Sequence, residues 1–240
     1  MKKVYFGVFK FKNIIINACI ILLLGIITAV AFIGGNESLI TSTTNGAYYH
    51  GNRSNNCVSL MVNVYWGTEY IEDMLEVFEQ KQVKTTFFLG GIWVLENEEL
   101  VNKIVEKGHE IANHGYKHKS QDKVSREESI KEIETTHQLI NKLTGINMNL
   151  FAPPSGAYND QTIEVASELG YKTIMWSRDT IDWRDHNSEL IYSRAVKEVK
   201  GGDLILMHPT QETLNALPSI IDTILEKRLV IGTVSNCIGA

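Results

Sequence analysis

The chain has 240 residues, 44% of them hydrophobic, with 23 basic and 28 acidic side chains and a net charge of −5. That length accommodates one α/β domain of about 200 residues with a short appendage and excludes two large cores. Setting aside Lys2, Lys3, Lys10 and Lys12 leaves 19 basic against 28 acidic residues, a balance of −9 with no basic cluster, so nucleic acid is excluded as a partner.

Residues 1–13 form a basic flank, and an apolar run from Ile14 to Ile33 follows, broken by little more than Asn17 and Thr28. About 20 helical residues cross a hydrocarbon core of about 30 Å, and the lysines hold their flank on the cytoplasmic side. The sequence therefore predicts a single transmembrane helix over 14–34, with the rest of the chain outside the cell membrane. A second reading is a cleaved signal peptide, since Ala29-Val30-Ala31 has the small-x-small form of a cleavage site. Cleavage would release a secreted protein. Residues 35–56 are rich in Asn, Ser, Thr and Gly and read as a polar stalk.

From residue 57 to 240 apolar, strand-like runs alternate with amphipathic helical ones. The strand runs are 58–64, 84–89, 109–113, 148–152, 171–176, 203–208 and 229–234. Ser125-Arg126-Glu127-Glu128 is a capping box, and Gly170 and Gly201-Gly202 stand at helix ends. Seven strands joined by helices imply a parallel sheet, either a (β/α) barrel or an open doubly wound sheet, and periodicity leaves both open. Cys57 precedes the first strand and Cys237 follows the last. In a parallel sheet these are opposite ends, about 17 Å apart, which predicts two free thiols.

In either architecture chemistry collects past the C-terminal strand ends. His114 and His118 follow the third strand; as an i, i+4 pair on a helical turn they face one way, with imidazoles suited to zinc. Pro153-Pro154-Ser155-Gly156 makes a turn after the fourth strand, and Asp179-Thr180-Ile181-Asp182-Trp183 follows the fifth. The sixth ends in Leu206-Met207-His208, where a carboxylate at the same rim would orient the histidine for proton transfer.

In this order the segments resemble the motifs of the polysaccharide deacetylase family over roughly residues 57–236. His114-x3-His118 looks like the family's metal pair, Ala152-Pro153-Pro154-Ser155-Gly156 like its Arg-Pro-Pro-x-Gly turn, Asp179-x-x-Asp182-Trp183 like its fourth motif, and Leu204 to His208 like its fifth. The resemblance implies a distorted (β/α) barrel, seven-stranded by the count of strand runs, which with the apolar run makes a barrel domain behind one N-terminal transmembrane helix. It also implies a divalent metal, zinc, on His114 and His118, with His208 as acid and Asp182 orienting it. Trp183 and Leu206 would flank an acetyl methyl group, and Pro154 and Tyr65 would complete the sugar-binding rim. The implied reaction is metal-dependent hydrolysis of N-acetyl groups on N-acetylglucosamine units of a cell-wall polymer, preferably peptidoglycan.

Two departures stand out. The family's Thr-Phe-Asp-Asp-Gly is matched to Met61-Val62-Asn63-Val64 ahead of Tyr65-Trp66-Gly67, so Asn63 takes the place of the base and Val64 stands nearest the metal aspartate. Ala152 replaces the arginine that would pair with the base. Losing both members of that pair avoids stranding a buried charge, a penalty of roughly 3–5 kcal/mol. Two functions follow: a hydrolase with altered chemistry, and a glycan-binding or scaffolding protein that no longer hydrolyses.

Overall fold

The computed structural model describes residues 16–23, 43–44 and 46–239. The expected transmembrane segment, 14–34, lies mostly outside those residues. Within it, residues 16–23 are helical, and among the described residues no helix is long and apolar enough to cross a membrane. The chain divides after Leu39, and the sheet with its covering helices belongs to the unit that follows.

Ten strands are found among the described residues: β1 (Thr43–Thr44), β2 (Ala47–Tyr48), β3 (Cys57–Val64), β4 (Thr86–Leu89), β5 (Glu110–Asn113), β6 (Leu150–Phe151), β7 (Lys172–Ile174), β8 (Arg178–Asp179), β9 (Leu204–Met207) and β10 (Val230–Ile231). The longer helices are α1 (Ile71–Gln80), α2 (Gly91–Glu96), α3 (Glu98–Glu106), α4 (Arg126–Thr144), α5 (Asp160–Glu168), α6 (Ser188–Val196), α7 (Gln211–Glu226) and α8 (Val234–Ile238). All seven expected strand runs hold a strand. The sheet order is β1-β2-β7-β6-β5-β4-β3-β9-β8, with β10 beside β3, and every pairing except β1 with β2 is parallel.

The sheet curls into an interrupted barrel. The segment 172–179 pairs with β6 at its start and with β9 at its end, so one stretch of chain joins the two sides. Where it changes partners the seam is filled by β2, which runs beside β7 with Ala47 opposite Thr173 and Tyr48 opposite Ile174. The later part of the expected stalk is therefore domain, because β7 has a free edge that needs backbone partners. Ala47 is fully buried. Beyond it, Gly51 N donates to Gly202 O (2.7 Å), Asn52 N donates to Cys237 O (2.9 Å), and Arg53 pairs with the buried Asp203 (2.5 Å).

Strand alternation sorts the interior into two layers. On β3, Val58, Leu60, Val62 and Val64 join the outer core beneath the helices, while Met61 joins the inner cluster with Phe88, Ala112, Leu150, Ala152, Ile174 and Leu204. Both faces are buried, as expected of a parallel sheet under helices. The helices end as their residues dictate: Ser125 Oγ accepts from Glu128 N (3.3 Å) at the start of α4, and Gly145 takes φ 74° at its end. Glu128 does not complete the capping box reciprocally; its carboxylate accepts from Lys119.

The cysteine expectation is overturned, for Cys57 and Cys237 form a disulfide with Cα atoms 5.2 Å apart. The sheet is parallel nonetheless. The last strand is two residues long, with Val230 opposite Cys57, and the chain turns at once into α8, capped by Thr233 and Asn236. That helix puts Val234, Cys237 and Ile238 into the inner cluster, so Cys237 returns to the end where β3 begins. The opposite, C-terminal end stays open.

Candidate active site

Inward positions of four strands, continued past their ends, deliver side chains to one cavity of about 370 Å³. Met61 leads to Asn63 and Tyr65, Ala112 to His114, Ile174 to Trp176, and Leu204 to Leu206 and His208. His118, Ser155, Gly156, Asp179, Trp66 and Trp183 complete the lining.

The acid side is fully assembled. Asp182, with no solvent exposure, accepts from the His208 backbone N–H through Oδ2 (2.6 Å) and from Thr213 Oγ1 (2.7 Å), while Oδ1 meets His208 Nδ1 at 2.7 Å. Burial pushes the Asp182 carboxyl upward, but the hydrogen bonds and charge of His208 outweigh it and hold the group below its ordinary value. Bound through Nδ1, His208 leaves Nε2 for the cavity. Asp182 lies behind this histidine and does not line the cavity; Asp179 does. Asp179 Oδ1 accepts from Ile181 N (2.8 Å), and Ile181 sits at φ 55°, a left-handed conformation costly for a β-branched residue.

His114 and His118 converge, but not on a helical turn. Gly115 at φ 74° and His118 at φ 54° bend the segment into a loop, held by buried Glu132, whose Oε2 accepts from Tyr116 N (2.9 Å) and Lys117 N (2.7 Å). The two rings lie 5.1 Å apart at 70°. His114 Nδ1 donates to Ala152 O (2.8 Å), which leaves Nε2 free. Burial, with His118 nearby, lowers His114 to about 3, and burial, with His208 nearby, lowers His118. Both imidazoles are therefore neutral. Pro154 does not line the cavity; it packs beneath this loop, its Cγ 3.3 Å from where a Cβ on Gly115 would stand.

The first-motif segment corrects the register. Val64 faces the outer core and has no access to the histidines. Gly67 adopts φ 78°, and a Cβ there would lie 2.0 Å from Pro209 O, so only glycine fits. Aligned on Gly67, Thr-Phe-Asp-Asp-Gly runs without a gap: Asn63 stands at the threonine, outward Val64 at the phenylalanine, and Tyr65 and Trp66 at the two aspartates. Neither aromatic ring is idle. Tyr65 stacks on His118 (4.7 Å, 27°) and Trp66 on His208 (5.6 Å, 10°).

The residues present do not fit a hydrolytic metal centre. Such a site uses three protein ligands with an open position, whereas here two neutral imidazoles stand without a carboxylate and the face of one is covered by Tyr65. Among the described residues, no group of three or more His, Cys, Asp or Glu is placed to hold an ion.

Trp176 also lines the cavity, a place that none of the sequence motifs assigns to it. Its ring lies 2.6 Å from a Cβ built on Gly156, so glycine at that position makes room for it. A tryptophan ending a strand at the C-terminal rim was the available signal.

The model of the family described as polysaccharide deacetylase matches residues 50–174. The chain is 38% identical over 188 residues to uncharacterized protein YlxY of Bacillus subtilis, covering 78% of this chain and 59% of that one. It is 32% identical over 173 residues to a peptidoglycan-N-acetylglucosamine deacetylase of Bacillus cereus, covering 70% of this chain and 81% of that protein. Among solved structures, BA3943, a CE4 family pseudoenzyme from Bacillus anthracis, superposes with a TM-score of 0.79 at 33% identity over 82% of this chain and 70% of that one. A mutant of it described as having restored enzymatic activity is equally similar in fold. By motif order, fold and these matches, the chain belongs to the polysaccharide deacetylase family.

Proposed function

We propose that this protein binds an N-acetylated cell-wall glycan, preferably peptidoglycan, without hydrolysing it. The observation that carries the reading is the stacking of Tyr65 and Trp66 on His118 and His208, at the two positions where the family places its base and its metal aspartate. Deacetylation needs a group to take a proton from the attacking water, and none of the Tyr65 phenol at the base position, the Trp66 indole and the Asn63 amide offers the basic lone pair of a carboxylate. What remains suits binding. The cavity is walled by Tyr65, Trp66, Trp176 and Trp183, and Trp66 and Trp183 stay 43% and 54% exposed at its mouth, where flat rings stack on sugar faces. The description of BA3943 as a pseudoenzyme supports the same reading.

The Asp182–His208–Thr213 arrangement favours a second reading, a metal-dependent deacetylase with weakened chemistry on the same polymer, because a complete acid side is what the leaving amine needs. The two are separated by incubating the full chain with peptidoglycan, with and without zinc, and measuring both co-sedimentation and released acetate. The binding reading expects the protein in the pellet and no acetate. Zinc-dependent acetate would establish the second reading.

We further propose that the domain stands outside the cell membrane, held by the apolar run 14–34. The four flanking lysines support that orientation, and the Cys57–Cys237 disulfide supports an oxidising compartment.

A further inference from the structure

Asn63 is buried to 4% exposure at the end of β3 and lines the cavity, yet its amide has no hydrogen-bond partner among the described residues and its Oδ1 is enclosed. An unpaired buried amide is unfavourable, and native interiors rarely leave one without a reason. Nothing in the stacking of Tyr65 and Trp66 requires it, and a threonine serves at this position in the family motif.

Resting on the glycan-binding reading, we infer that Asn63 is the specificity-determining residue of this cavity: its carboxamide pairs with the acetamide of a bound sugar and selects N-acetylated over de-N-acetylated glycan. Its Oδ1 is enclosed, so the contact is made by Nδ2, which donates to the acetamide carbonyl; the ammonium of glucosamine donates only and offers Nδ2 no acceptor. The surroundings push the same way. Leu206 and the rings of Trp66, Trp176 and Trp183 line the cavity with apolar surface. An ammonium ion set against these apolar surfaces would lose hydration that they do not replace.

The test is calorimetric titration of the full chain in detergent with the tetramer of N-acetylglucosamine and, separately, the tetramer of glucosamine. The wild type is expected to prefer the acetylated tetramer by about tenfold or more. Asn63→Ser should weaken the acetylated ligand by about three- to tenfold and leave the other unchanged. Asn63→Asp, which exchanges the donor for a negative charge, should reverse the preference. Trp183→Ala should weaken both tetramers in parallel and so mark the cavity as the binding site. Equal affinity of the wild type for both tetramers, or parallel losses in the Asn63 variants, overturns the role of Asn63 while glycan binding stands. Binding of neither tetramer by the wild type overturns both.

Discussion

Trp66 lies over His208 with ring centres 5.6 Å apart and planes 10° from parallel, so the best-preserved proton donor of the site is roofed by an indole where the family has a carboxylate. With Tyr65 on His118, the base side has become an aromatic wall while the acid side persists.

Replacing the two rings should restore a donor set. Tyr65→Asp with Trp66→Asp places carboxylates beside His114 and His118, giving the three-ligand plan that zinc requires. Calorimetry should show zinc binding in the double variant at least about 100-fold tighter than in the wild type. Equal zinc affinity in the two proteins would mean that the rings do not stand at the ligand positions.

Trp183 is 54% exposed at the cavity mouth, with Arg184 6.0 Å from its ring. Trp183→Ala should lower affinity for N-acetylglucosamine tetramer by about tenfold. The melting temperature should stay within about 1 °C, since exposed positions contribute little to stability. A large fall in melting temperature would identify the residue as structural.

The disulfide closes a separation of 180 residues. Cys57→Ser should cost about 2–5 kcal/mol of stability in denaturant titration. In the denatured, unreduced wild type, thiol labelling should find one free cysteine, Cys19. Three labelled thiols would contradict the bridge.

His109 is buried between Phe78 and Phe87, each ring 5.3 Å away, and its Nδ1 accepts from Thr85 N (3.2 Å). Burial, with Lys84 and Lys107 nearby, lowers it from 6.5 to about 4. The unfolded chain therefore binds the proton more readily between those values. The stability tied to neutral His109 is complete above pH 6.5 and declines as pH falls toward 4, by roughly 3 kcal/mol in all. His114 acts in the same direction. Denaturant midpoints measured from pH 7.5 to 4 should fall accordingly, and His109→Gln should flatten the slope. An unchanged slope in that variant would assign the acid sensitivity elsewhere.

Long apolar runs with turn residues between them made the seven main strands legible, because a parallel strand buried on both faces carries its own hydrophobic signature. The two-residue strands β1, β2 and β8 have no such signature; β2 exists because β7 has an open edge, which is a fact of topology. The disulfide escaped for a related reason, since α8 turns back directly after a strand too short to show its end. The site histidines and Asp182 were legible from their places after strands. The first-motif register was not, for two aromatic residues at polar positions resembled an insertion until the parity of Met61, Asn63 and Tyr65 and the steric demand of Gly67 fixed it.

Because Trp66, Trp176 and Trp183 line the cavity, tryptophan fluorescence of the full chain reports its occupancy directly. Titration with N-acetylglucosamine tetramer should give a saturable change that a chelator leaves intact, with no acetate in the vessel after prolonged incubation with zinc. A fluorescence change abolished by the chelator, or acetate accumulating with zinc, would contradict a site that holds its sugar without hydrolysing it.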